Sequence, residues 1–299
     1  GVSFMRISIT GSTGFVGQNL VLTLLSHFDI LEISRSSFKL EVTDGIIHLA
    51  GKAHDLKKVS SSDEYYKVNT ELTKKIFDDF LLSNAKVFIT LSSVKAVADE
   101  VDGELFEDVT PNPITHYGKS KLLAEQYIVS KPIPAGKRVY ILRPCMIHGP
   151  GNKGNLNLLY SLVSKGLPWP LGLFKNSRSY LSIDNLCFII KELIEREDIP
   201  SGVYNVADDI PLSTNEVINI IAVSKGKKAT ILNMSQKLIR LLARVGDFLK
   251  LPLDSERLQK LTESYVVSNA KIKAALGKPL PVSSKEGLMR TFKSFADNV

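Results

Sequence analysis

The sequence is poor in several features that would point to particular kinds of protein. It holds two cysteines, Cys145 and Cys187, in apolar surroundings and without CxxC or Cys/His spacing. That excludes a disulfide framework and a thiolate zinc site, and both read as reduced core residues of a cytoplasmic protein with no metal. No apolar run approaches the ~18 residues of a membrane-spanning helix, and no charged-then-apolar leader opens the chain, so neither membrane insertion nor secretion is expected. There is no basic cluster interleaved with aromatics, which argues against nucleic acid as a partner. No Pro/Gly/Ser-rich linker, low-complexity stretch or internal repeat divides the chain.

What is present is an ordinary globular composition: 299 residues, 44% hydrophobic and 23% charged. Lys plus Arg (38) exceed Asp plus Glu (31), and the net charge of +7 is spread along the chain. Such a surface suits a small phosphorylated substrate better than a polyanion.

Hydrophobic patterning alternates short apolar runs with helical periodicity through the first half. Strands are expected at 6–10, 30–34, 45–50, 86–92 and 138–142, and helices at 15–25, 65–83 and 114–130. This order defines an α/β fold with a doubly wound parallel sheet. The second half is mostly helical, with helices at 156–165, 184–196 (Asp184 as N-cap) and 213–223, the last opened by the capping box Ser213-x-x-Glu216. A strand at 203–206 is expected to rejoin the first sheet. The chain thus divides into a dinucleotide-binding Rossmann part, 1–145 plus about 182–206, and a smaller, mostly helical α+β part, 146–181 plus 207–299, that would hold the substrate.

Three motifs carry chemistry. Gly11, Gly14 and Gly17 follow the first strand and open the first helix, the context in which a glycine turn brings backbone N–H groups onto a pyrophosphate. Tyr117 and Lys121 stand at i and i+4 on one helical face, where an ammonium is expected to lower the phenol's pKa and make it an acid/base. Ser92-Ser93 ends the fourth strand, at the sheet edge where α/β folds bind ligands.

Together these motifs resemble the extended short-chain dehydrogenase/reductase family, in its NAD-dependent nucleotide-sugar epimerase/dehydratase branch. The resemblance is carried by TGSTGFVG (10–17), HLAG (48–51), Val68-Asn69, LSS (91–93), YGKSK (117–121) and RPCMIHGPG (143–151). The nucleotide-sugar branch rests on NSRSYLSIDNL (176–186) and GLPWPLG (166–172). It implies NAD or NADP(H) held by Gly11, Thr13, Gly14, Phe15, Val16, Gly17, Arg35, Leu49, Ala50, Gly51, Asn69 and Lys121. It implies catalysis by Ser93, Tyr117 and Lys121, with a UDP-sugar contacted by Ser93, Lys95, Tyr117, Asn155, Arg178 and Arg257. Hydride would pass at C4 of a UDP-hexose or UDP-N-acetylhexosamine, as in a 4-epimerase, or from NADPH to a 4-keto-6-deoxy UDP-sugar, as in a reductase. Members of the family often dimerise through the helix that carries YxxxK, so a homodimer is expected. A non-catalytic NADP-sensing regulator is the alternative of another class, disfavoured by an intact Ser93, Tyr117 and Lys121.

The sequence departs from the family in several places. Arg35 stands where NAD-using relatives carry an aspartate, and an arginine there suits the 2′-phosphate of NADPH. Glu32 lies nearer the expected offset but, mid-strand, is expected to point into the sheet or along one face. Only ten residues separate Arg35 from Ile46, too few for a crossover helix and a further strand. Val94 and Lys95 occupy places that are acidic in dehydratases, which argues against water elimination. His148, where tyrosine is common, reads as a packed residue. The stretch 237–250 is amphipathic and reads first as a helix covering a core, its basic face also suiting a membrane surface.

Overall fold

The computed structural model describes residues 4–34, 43–52, 61–251 and 253–296. In chain order the first half runs β1 (Arg6–Thr10), α1 (Phe15–Leu24), β2 (Asp29–Ile33), β3 (Gly45–His48), α2 (Ser62–Tyr65), α3 (Leu72–Leu82), β4 (Val87–Leu91), β5 (Glu104–Leu105), α4 (His116–Ser130) and β6 (Arg138–Pro144). The second half runs β7 (Met146–His148), α5 (Asn155–Ser164), β8 (Tyr180–Ser182), α6 (Ile183–Glu195), β9 (Gly202–Val206), α7 (Thr214–Ser224), α8 (Gln236–Leu249), α9 (Ser255–Thr262), β10 (Val266–Val267), α10 (Ala270–Leu276) and α11 (Ser284–Ala296).

Six strands form one parallel sheet in the order β2-β1-β3-β4-β6-β9. β3 (GIIH) and β4 (VFITL) are buried nearly throughout, as their mostly apolar sequences suit central strands in a doubly covered sheet. The order reverses at β1, which pairs with β2 on one side and β3 on the other. That switch point leaves a crevice beyond the carboxyl ends of β1 and β3, where open α/β sheets take ligands. The connection from β2 to β3 runs from Ser34 to Asp44. Its residues 35–42, Arg35 among them, lie outside the described part.

As expected from the sequence, the chain returns to this sheet late: β9 pairs with β6 from Tyr140 opposite Gly202 to Pro144 opposite Val206. A second core gathers α5, α7 and α11 around Leu156, Leu212, Ile221, Leu288 and Phe292, each 2% exposed or less. GLPWPLG folds into this core, with Trp169 and Leu171 buried and paired along residues 230–233, and none of its residues lines the three cavities described below.

Local signals held with small shifts of phase. The capping box is formed in full, with Ser213 Oγ accepting from Glu216 N and the Glu216 carboxylate accepting from Ser213 N. Ser213→Ala is expected to cost about 1 kcal/mol in denaturant unfolding. At α6 the N-cap is Ser182 rather than Asp184. Ser182 has extended backbone and its hydroxyl accepts from Asp184 N, while Asp184 lies inside the first turn, where its charge faces the positive helix end. The stretch expected as one helix from Tyr65 to Ser83 is interrupted by a wider π-helical stretch, Tyr66–Glu71, which carries Asn69. α8 covers the second core only in part: Ile239 and Ala243 belong to it and Gly246 is buried, while the remaining apolar residues are exposed.

Candidate active site

At the amino end of the crevice, β1 passes through the glycine turn into α1. α1 starts after Gly14, a cap without a side chain, so its first N–H groups face the crevice bare. Gly17 is required by close approach: a methyl there would stand 2.2 Å from Gly11 O. Only glycine lets the helix start sit this tightly against the turn. This cradle fits the diphosphate of a dinucleotide.

Two adjoining cavities extend from the turn. One is lined by Gly11, Thr13, Gly14, Leu49, Ala50 and Gly51, together with Glu32, Ile33 and Ser34 from the end of β2. Glu32 is exposed toward this cavity, not lost within the sheet, and it stands where an acid meets ribose hydroxyls. The second cavity follows Phe15, Val16 and Gly17 toward Ser93, Tyr117 and Lys121. Asn69 is buried at its edge, but both ends of its amide are engaged. Its Oδ1 accepts from Lys52 N at 2.7 Å, and its Nδ2 donates to Lys52 O and Ser120 Oγ, each at 3.1 Å. It therefore clamps the loop after β3 onto α4.

Ser93 caps the turn Val94–Ala96, its Oγ accepting from Lys95 N at 3.1 Å. Tyr117 enters α4 beside it, and the two side chains are hydrogen-bonded. The glycine in YGKSK explains how they meet, because a methyl on Gly118 would lie 2.3 Å from Lys95 O. α4 can thus close directly onto the Ser93 turn. Lys121 lies one turn on, with Nζ 5.9 Å from the Tyr117 ring centre and donating to Leu91 O at 3.2 Å.

The electrostatics differ from the simple expectation of a lysine lowering its neighbour's pKa. Burial raises the Tyr117 pKa, and the Ser93 hydrogen bond only partly opposes this. Burial also lowers the Lys121 pKa to about 8, with the Glu125 carboxylate pulling it back up. The protein's own groups therefore hold Tyr117 as a neutral phenol, because desolvation outweighs the cation beside it.

Beneath the pair lies a group that the sequence did not single out. Glu125, one turn past Lys121, is buried and bidentate to Arg143 at the end of β6, with Oε1 at 2.6 Å from Nη2 and both oxygens at 3.1 Å from Nε. Ser92 Oγ also donates to this carboxylate. The charge pair locks α4 to the strand ends that present Ser93.

A third cavity, of 350 Å³, opens from Ser93 and Tyr117 on the other side. Lys95, Asn155 and Arg178 line it, together with Lys260, Glu263 and Tyr265. Lys95 Nζ sits 4.7 Å from the Tyr265 ring centre, and burial lowers its pKa. Arg178 is held by Lys260 O at 2.6 Å and by Glu263 at 3.4 Å, while its buried Nε has no partner among the described residues. Arg257 does not reach this cavity. It is exposed on α9, and Lys260, about one turn further along the same face, lines the cavity instead.

Cys145 lines both cavities that meet at Ser93, and burial raises its pKa, which keeps it an unreactive thiol. His148 is buried, hydrogen-bonded to Thr291 at 2.8 Å, and lowered to about 4 by desolvation. Neutral and 3.9 Å from Asp208, it forms no ion pair, in keeping with a packed role.

A glycine turn at the switch point of a parallel sheet, opening on a buried Ser, Tyr and Lys, defines the class of dinucleotide-dependent enzymes. Residues 7–207 match the NAD dependent epimerase/dehydratase family, and the chain belongs to it. It is 32% identical over 317 aligned positions to UDP-glucose 4-epimerase of Vibrio cholerae, covering 97% of this chain and 95% of that protein. It is also 26% identical to N-acetyl-alpha-D-glucosaminyl-diphospho-ditrans,octacis-undecaprenol 4-epimerase of Escherichia coli O157:H7, covering 96% and 94% of the two chains. Among solved structures it shares its fold with UDP-glucuronic acid 4-epimerase from Bacillus cereus in complex with NAD, with a TM-score of 0.74, 18% identity and 98% and 99% of the chains covered.

Proposed function

We propose that this enzyme is a UDP-sugar 4-epimerase that moves hydride between C4 of a UDP-hexose or UDP-N-acetylhexosamine and tightly held NAD. The observation that carries this reading is that the dinucleotide cavity and the 350 Å³ cavity meet at Ser93 and Tyr117. A sugar in one thereby adjoins a nicotinamide in the other.

In this reading residues 1–145 and about 182–206 bind cofactor, and 146–181 and 207–299 bind the nucleotide sugar. NAD supplies the hydride acceptor and donor and, when oxidised, a positive ring that favours the tyrosinate. Tyr117 Oη takes the C4 hydroxyl proton and returns it, and Ser93 Oγ holds the same sugar oxygen. Lys121 Nζ binds the nicotinamide ribose, while Asn69 fixes the loop over the cofactor. Arg178, Lys260 and Lys95 supply cationic contacts for a diphosphate, with Asn155 at the start of α5. Glu32 at the adenosine end supports NAD over NADP. Non-acidic Val94 and Lys95 next to Ser93 speak against dehydration. We further propose a cytoplasmic homodimer.

Incubation with UDP-glucose, UDP-N-acetylglucosamine and a 4-keto-6-deoxy UDP-sugar, followed by product NMR and nicotinamide absorbance, tests the reading. Interconversion of one of the first two without net loss of NADH or NADPH is expected. Stoichiometric loss with the keto sugar alone would make the enzyme a reductase, and no turnover of any of them would overturn the assignment.

A further inference from the structure

We infer that α8 is an interfacial helix, laying its exposed apolar side on an anionic lipid surface. The helix buries a stripe of Ile239, Ala243 and Gly246 and touches the rest of the chain beside it through Gln236 on Leu173 O, Arg240 over the Phe174 ring and Asp247 on Ser255. Gly246 presses so closely on the following segment that a methyl there would stand 1.8 Å from Leu253 O. Next to that stripe lie Leu238, Leu241, Leu242, Val245, Phe248 and Leu249, from 42% exposed at Val245 to 87% at Phe248. With 3.6 residues per turn these six share one side of the helix, and Lys237, Arg240 and Arg244 share the opposite flank.

Contiguous apolar exposure of this kind marks an interaction surface, and the charges indicate its partner. Lys237, Arg244 and Lys250 enter none of the ion pairs among the described residues, whereas Arg240 is turned inward over the Phe174 ring at 5.3 Å. The one acid of the helix, Asp247, is taken up by the amide and hydroxyl of Ser255 at 2.8 and 2.6 Å. Cations along the border of an apolar side complement lipid phosphates. A second copy of the chain would instead bring its own Lys237 and Arg244 to the same border. No helix of the described residues is long and apolar enough to cross a membrane, so the contact is a peripheral one. The proposal does not rest on the reaction proposed above.

Flotation of the full chain with vesicles of phosphatidylcholine alone and of phosphatidylcholine with phosphatidylglycerol tests it. The floated fraction is expected to be larger on the anionic vesicles and to fall at high salt. Leu241→Ser with Phe248→Ser, and separately Lys237→Glu with Arg244→Glu, are each expected to reduce it by about tenfold. Both sites are surface-exposed, so an unchanged melting temperature in each variant shows that the fold is kept. Flotation that is absent, indifferent to lipid charge or untouched by both variants overturns the proposal. So does a wild-type dimer in sedimentation that Phe248→Ser dissociates, because a second copy would then cover the face.

Discussion

Tyr117→Phe is expected to lower sugar turnover by about 10²–10⁴-fold, equivalent to about 3–5 kcal/mol of transition-state stabilisation, while leaving nucleotide binding nearly unchanged. The substitution removes the phenolic oxygen that the proposed reaction uses to exchange a proton at the sugar and keeps the ring that packs edge-on against Tyr65 at 6.3 Å. Burial raises the Tyr117 pKa, so the phenol is predominantly protonated at neutral pH. Turnover limited by proton removal should therefore increase as pH rises through the weakly alkaline range, and Tyr117→Phe should abolish that slope along with the rate. Steady-state turnover across pH, with nucleotide affinity measured separately by calorimetry, checks both parts. A variant with wild-type turnover would remove Tyr117 from the chemistry.

Glu125→Ala is expected to cost about 3–5 kcal/mol of stability, because it strands a buried guanidinium without its counter-ion. The Arg143 and Glu125 side chains are only 7% and 5% exposed, and Arg143 Nη1 already lacks a partner among the described residues. Water cannot readily replace the lost carboxylate. A second effect follows from Coulomb's law: the Glu125 charge supports protonation of Lys121, so its removal should lower the Lys121 pKa further below about 8. Chemical denaturation reads the first effect, and the pH dependence of cofactor binding reads the second. An unfolding midpoint equal to the wild type's would mean that Arg143 finds another partner.

Much of the fold was legible because its signals are local. The glycine turn, the strand before it and the helix after it constrain one another within a dozen residues, and Ser213-x-x-Glu216 states its cap directly. Tyr117 and Lys121 share one helical face and Ser93 ends a strand, but the roles expected of them come from the family resemblance of LSS and YGKSK. What escaped depends on backbone atoms or on distance along the chain. Lys121 bonds a carbonyl, Leu91 O, and a carbonyl has no signature in sequence. Glu125 and Arg143 belong to different elements, joined only when α4 docks on β6. Glu32 is exposed next to a buried Ile33, and strand alternation does not tell which face a cavity occupies. Arg257 and Lys260 lie about one turn apart on the same face of α9, and a cationic segment does not say which of its cations reaches the cavity.

The late return of the chain to the first sheet has a consequence for how the protein can be taken apart. β9 joins β6 only after β7, α5 and β8 have been laid down elsewhere. A fragment ending near Pro144 would leave β6 as an open edge, its N–H and C=O groups bare and its apolar faces half covered. The cofactor half is therefore not a transferable module. Produced separately, the two stretches of chain should aggregate alone and regain solubility only when co-expressed, each serving as the missing template for the other.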